Sequence, residues 1–139
     1  MSMLANVTWV EDKRFVGRAS SGHAIVVDGS EEKQGPSPME LLLIGMAGCT
    51  GYDVINILEK KRQVVTGFKV SARAERAEEP PRVYTVIEVE YVLRGRGINP
   101  KAVEDAIRLS KEKYCSASVM LEKTAKITTS YRIEEEVSD

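Results

Sequence analysis

The chain has few histidines, large aromatics and cysteines: one histidine, one tryptophan, two phenylalanines and two cysteines. The lone histidine, His23, follows "SSG" in a predicted turn and reads as a surface residue, so neither a histidine metal centre nor a catalytic triad is supported. Charge of one sign is also lacking. Twenty Lys and Arg face 21 Asp and Glu for a net charge of −1, and the signs alternate along the chain. This argues against nucleic acid or an anionic membrane as partner. The first residues, "MSMLANVTWVEDKR", lack a basic stretch leading into an apolar one, and no apolar run approaches the roughly 20 residues that span a bilayer. A cytoplasmic location with no membrane partner is expected. Cys49 and Cys115 have no His or Cys neighbour at metal-ligand spacing and would stay reduced in the cytosol. No metal or cofactor is expected, and on the residues alone two buried thiols packed as small hydrophobes are as good a reading as a reactive pair. No repeat or low-complexity segment occurs.

What is present is 42% hydrophobic and 29% charged residues, enough apolar chain for one domain over residues 1–139. Leu4 to Val10, Arg14 to Ser20 and Ala24 to Gly29 read as a meander of three strands. After the loop "SEEKQGPSP", Ser37, Pro38 and Glu40 form an S-x-x-E capping box with proline at the first helical position. The helix it opens is expected to run to about Arg62, long for so small a domain. Gly67 to Ala77 and Arg82 to Gly95 alternate apolar and polar residues around "EEPP", the pattern of a hairpin. Asn99 to Lys113 has an Asn cap, proline in the first turn and apolar residues at helical spacing. A short helix starts at or just after Cys115, and Lys126 to Glu135 reads as the last strand. Trp9, Phe15 and Phe68 fall on strand faces and are expected in the core.

The long helix contains "GMAGCTG", Gly45 to Gly51. Each interior glycine costs a helix about 1 kcal/mol relative to alanine, so a compensating contact is expected. Gly45, Ala47, Gly48 and Gly51 leave a strip without bulky side chains, against which another backbone can pack closely. That backbone belongs either to the same helix of a second subunit or to a sheet of the same chain.

The motifs "SPMELLLIGMAGCTGYDVINIL" (Ser37 to Leu58) and "KYCSASVMLEK" (Lys113 to Lys123), with the order of elements over nearly the whole chain, resemble the OsmC/Ohr family (osmotically inducible protein C and organic hydroperoxide resistance proteins), nearest its YhfA-like branch. The resemblance implies an α+β fold of order βββαββααβ. It implies an intertwined homodimer, with two long central helices wrapped by curved antiparallel sheets. It further implies reduction of organic hydroperoxides, with Cys49 as the reacting thiol, Cys115 as the resolving thiol and a dithiol, of lipoyl type in the family, as reductant.

Attack on a peroxide needs a thiolate, and a mid-helix cysteine needs a cation to favour it. The resemblance draws that cation from the start of the second strand, where Arg14 fits best and Arg18 is the alternative. The family's glutamate position holds Met39 here, with Glu40 one residue later, so Glu40 is a candidate with a capping role of its own. Asp53 lies on the same helix face as Cys49 and could accept a proton or fix an arginine. Lys111 and Lys113 flank Cys115. Met39, Leu42, Leu43, Met46 and Met120 are candidates for an apolar entrance suited to a bulky peroxide, or for plain core. Two functions follow: a dithiol peroxidase acting on small apolar hydroperoxides, and a dimeric small-molecule binding protein whose thiols are not catalytic.

Overall fold

A computed structural model describes residues 2–137 of the chain. The elements run β1 (Ala5–Glu11), β2 (Arg14–Ala19), β3 (Ala24–Asp28), α1 (Pro38–Lys60), β4 (Val64–Arg76), β5 (Tyr84–Arg96), α2 (Pro100–Leu109), a π-helical turn (Ser110–Tyr114), α3 (Ser116–Leu121) and β6 (Lys126–Glu135). The expected order βββαββααβ is therefore present. The chain divides into two compact units, Met1–Leu43 and Ile44–Asp139, with α1 beginning in the first and continuing into the second.

The first unit is the antiparallel meander β1-β2-β3. Its register places Val7 and Trp9 of β1 beside Gly17 and Phe15 of β2, which in turn lie beside Ile25 and Val27 of β3, so one face is apolar. Much of that face is uncovered: Val7 and Trp9 are each 65% exposed. Trp9 is thus not a core residue, contrary to expectation, because among the described residues of its own unit nothing packs over it; its indole N–H donates to the Asp12 carbonyl at 2.8 Å.

Behind the meander, Asp28 is fully buried. It accepts from the Ser30 hydroxyl and backbone N–H, from Arg14 Nε at 2.8 Å and from the Gln34 N–H at 2.8 Å. These donors, Ser30 first and Arg14 second, hold its carboxyl well below the usual carboxylate range despite the desolvation that opposes them. The capping box is also formed: the Ser37 N–H donates to Glu40 Oε1 at 2.9 Å, and the Glu40 N–H to Ser37 Oγ at 3.2 Å.

The second unit is the sheet β4-β5-β6, with β4 and β5 as a long antiparallel hairpin. β6 joins β5 in parallel, so this sheet is mixed where the resemblance implied antiparallel strands. Three helical segments separate β5 from β6, and a crossover of that length is what a parallel pairing requires. The core collects Met46, Val54 and Leu58 of α1, Ile87, Tyr91 and Leu93 of β5, and Val103 and Ala106 of α2. Phe68 is half-buried and stacks on Tyr91, with ring centroids 6.5 Å apart.

The α1 helix stops at Lys60, just before Arg62 enters the left-handed region with φ of 57°. By length and composition α1 is apolar enough to cross a membrane, yet only 28% of its apolar window is buried. The expectation concerned unbroken apolar runs and stands, since Glu40 and Asp53 interrupt this one.

The Asp28 cluster gives a pH dependence of known sign. Its carboxyl titrates lower when folded than the ordinary value of about 3.9 when unfolded. The stability it contributes is therefore present above that value and is lost as pH falls through it toward the folded one. Thermal melts from pH 7 to 3 should show Asp28→Asn with a lower midpoint at pH 7 and a flatter loss on acidification than the wild type; parallel curves would contradict this account.

Candidate functional site

The buried stripe of α1 runs Met46, Thr50, Val54, Leu58, one residue every helical turn, and one of the four is polar. The buried stripe of α2 runs Ala102, Val103, Ala106, Ile107 and continues to Ser110, again polar. A hydroxyl on a buried stripe must find a partner. These two find each other, with Thr50 Oγ1 and Ser110 Oγ 2.7 Å apart. The Ser110 hydroxyl donates to Asp53 Oδ2 at 2.9 Å, and Tyr91 OH lies 2.7 Å from Thr50 Oγ1. Ser110 has one proton and gives it to Asp53, so Thr50 donates to Ser110 and Tyr91 donates to Thr50. The chain therefore has a single direction, from the buried phenol to the carboxylate. The Tyr91 phenol must stay protonated for this, and burial pushes its pKa up.

This network brackets both cysteines. Cys49 precedes Thr50 on α1. At the other end, the Ser110 carbonyl accepts the Cys115 N–H at 2.8 Å across the π turn. That turn replaces the last part of the helix expected to reach Lys113; such local widenings recur at functional sites. Cys115 then leaves the helix with extended backbone (φ −80°, ψ 99°) and caps α3 with its side chain.

The two thiols are neighbours. Cys115 is fully buried, Cys49 is partly exposed, both are free thiols, and Cys49 lies near enough to act on the Cys115 thiol. Burial pushes the Cys115 thiol up in pKa, the Ser118 hydroxyl and N–H pull it down, and Cys49 raises it again. The Ser118 donors lie 2.9 Å (Oγ) and 3.3 Å (N) from the Cys115 sulfur. The flanking lysines are engaged elsewhere: Lys111 Nζ donates to the Ile127 carbonyl, and Lys113 lies over the Tyr114 ring.

The remaining candidates have local partners. Asp53 takes the Ser110 proton. Within the first unit, Arg14 is bound through Nε to Asp28, through Nη1 to Glu11 and through Nη2 to the Glu32 carbonyl. Arg18 donates to the Gly22 carbonyl, and Glu40 is occupied by the capping box. Met46 is fully buried, whereas Met120 is 71% exposed. These two therefore do not share one entrance. The apolar groove of the second unit, of about 540 Å³, is lined instead by residues including Ile44, Gly48, Tyr52 and Phe68.

Sequence reasoning passed over Thr50, Ser110, Tyr91 and Ser118. The first two were detectable as polar residues in register with buried stripes. Ser118 was detectable as a hydroxyl three positions after a cysteine that opens a helix, the spacing at which a capping residue meets its donors. Tyr91 carries no such signal, since its β5 alternation fits plain core.

Comparison with known proteins bears on the family and the fold. A family model described as OsmC-like protein matches residues 29–130. Protein YhfA of Escherichia coli (strain K12) is 45% identical over 131 residues, covering 94% of this chain and 98% of that protein. Among solved structures, a hypothetical protein from Aquifex aeolicus VF5 is 33% identical with a TM-score of 0.89 over 99% of each chain. An organic hydroperoxide resistance protein from Elizabethkingia anophelis has a TM-score of 0.71 at 14% identity, covering 96% of this chain and 97% of that one, a likeness of fold alone.

Because Ser110 is at once donor to Asp53 and acceptor for Thr50, Ser110→Ala should strand two partners and cost about 1–3 kcal/mol. Urea unfolding would measure this; a loss below about 0.5 kcal/mol would mean that the network is ornamental.

Proposed function

Since the chain belongs to the OsmC-like protein family, we propose that it is a thiol-dependent peroxidase that reduces organic hydroperoxides through Cys49 and Cys115. The observation that supports this most is the pairing of a partly exposed thiol with a fully buried one beside it. An external oxidant reaches Cys49 first. Its thiolate attacks the peroxide ROOH, the O–O bond breaks, and with one proton taken up the products are a Cys49 sulfenic acid and ROH. The Cys115 thiol then displaces the sulfenic hydroxyl as water, forming a disulfide. An external dithiol returns both cysteines to thiols and leaves as its own disulfide. Organic hydroperoxide resistance proteins that share the fold support the substrate class.

Of the four residues drawn from the resemblance, the thiols carry the reading. Arg14 and Glu40 each hold a structural partner in the first unit, so a part for either at Cys49 would require it to exchange that partner for the thiol.

The protein acts as a homodimer in this reading. Ile44, Gly45, Gly48, Tyr52 and Ile55 recur along one face of α1 at helical spacing. Ile44 is 58% and Tyr52 69% exposed, and a Cβ at Gly45 or Gly48 would meet nothing within 4 Å. Gly51 differs: it is covered by its own β4, where a Cβ would come 3.3 Å from Val70. The glycine strip thus divides, one residue compensated within the chain and two open to a second backbone. The uncovered apolar face of the β1-β2-β3 sheet is a second surface of the same kind.

Light scattering at micromolar concentration should give a dimer, and Gly48→Leu should weaken it by about 1–3 kcal/mol through overpacking; a monomeric wild type would remove the assembly. Cumene hydroperoxide should convert the wild type to one disulfide per subunit. Cys49→Ser should abolish turnover, and Cys115→Ser should accumulate a trappable sulfenic acid at Cys49. Both thiols remaining free under excess organic peroxide, counted by mass spectrometry after alkylation, would decide for a binding protein with inert cysteines.

A further inference from the structure

Ser118 sends two donors to one sulfur, its hydroxyl at 2.9 Å and its backbone N–H at 3.3 Å, and the site is closed to solvent, with Ser118 5% exposed and Cys115 fully buried. A neutral thiol is a weak acceptor, whereas a thiolate is a strong one. Two converging donors are therefore matched to a negative sulfur. In the resting protein burial disfavours that charge and raises the Cys115 pKa. The charge can appear transiently instead, when a disulfide to Cys115 is opened and its sulfur is expelled.

Access decides which sulfur is expelled. A disulfide between Cys49 and Cys115 offers an incoming thiolate one partly exposed sulfur, Cys49, and one buried sulfur, Cys115. Attack proceeds at the reachable sulfur and drives out the other, at a rate that rises as the leaving thiol becomes more acidic.

We infer that Ser118 holds the leaving sulfur of the reductive half-reaction, so that an external dithiol always attacks Cys49 and Cys115 departs as a thiolate hydrogen-bonded to the Ser118 hydroxyl and N–H. The inference rests on the disulfide cycle proposed above. In the first step the reductant thiolate bonds to Cys49 sulfur, the Cys49–Cys115 bond breaks, and its electron pair goes to Cys115. In the second, the reductant's other thiol, as thiolate, attacks its own sulfur in the mixed disulfide, closing the cyclic reductant disulfide and releasing Cys49 as thiolate. The two protons given up by the dithiol match the two that restore the cysteines as thiols. The dithiol is thereby oxidised by two electrons and the protein disulfide reduced by two.

The test starts from wild-type protein closed with diamide instead of peroxide, so that it does not depend on the peroxide substrate. Brief reaction with glutathione followed by acid quench and alkylation should place glutathione on Cys49 and the alkyl group on Cys115; glutathione on Cys115 would overturn the inference. Ser118→Ala should slow reduction by dithiothreitol about three- to tenfold. In a Cys49→Ser background it should also move the ultraviolet thiolate titration of Cys115 to higher pH. Ser118→Thr, which keeps the hydroxyl, should restore both. Reduction of Ser118→Ala at the wild-type rate would overturn the inference, and the position of glutathione is read on wild type even if that variant folds poorly. Failure of diamide to close the disulfide would overturn the inference and the cycle together. Closure by diamide but not by organic peroxide, with glutathione on Cys49, would overturn the peroxidase reading and leave the role of Ser118 standing.

Discussion

The second unit is organised around a line of hydroxyls where a core would ordinarily have methyl groups. Tyr91, Thr50, Ser110 and Asp53 join β5, α1 and the turn after α2 by hydrogen bonds of 2.7 to 2.9 Å. Buried, each group would be costly alone, and together they are satisfied; among the described residues no buried side-chain polar atom lacks a partner. The direction of donation is forced from the carboxylate backwards, so the set locks as one arrangement. Apolar residues at the same positions would pack these elements too, but without fixing their register along one another.

That register matters because each helical segment bears a cysteine beside its part of the network. Cys49 is next to Thr50, and the Cys115 N–H is held by the Ser110 carbonyl. The hydroxyl pair thus sets where the two cysteines sit, while Ser118 sets what the inner sulfur can become. The outer sulfur remains partly exposed. A reactive pair needs this inequality of access, and two thiols serving only as core filler do not.

How much of this could be read in advance depends on how local the cause is. The capping box of Ser37 and Glu40, the Asn99 cap with Pro100, and the bounds of β6 were legible because a few neighbouring residues determine them. The parallel pairing of β6 was not, since it depends on a crossover that brings distant strands together. The π turn was hidden inside a continuous helical pattern, and only the bond from Cys115 N–H to the Ser110 carbonyl reveals it. Trp9 misled because alternation marks an apolar face without saying whether this chain covers it. The two cysteines were legible as candidates, but their proximity and unequal burial were not, because both arise from packing between segments far apart in sequence.

The central claim is that the fold holds Cys49 and Cys115 so that they join without dismantling the network that positions them. A crystal structure of the peroxide-treated protein tests it most directly. The account predicts a sulfur–sulfur bond of about 2.05 Å between Cys49 and Cys115, with the hydrogen bonds of Ser110 to Thr50 and Asp53 still in place. Two unbonded sulfurs, or a bond formed only with Ser110 pulled away from Thr50, would contradict it.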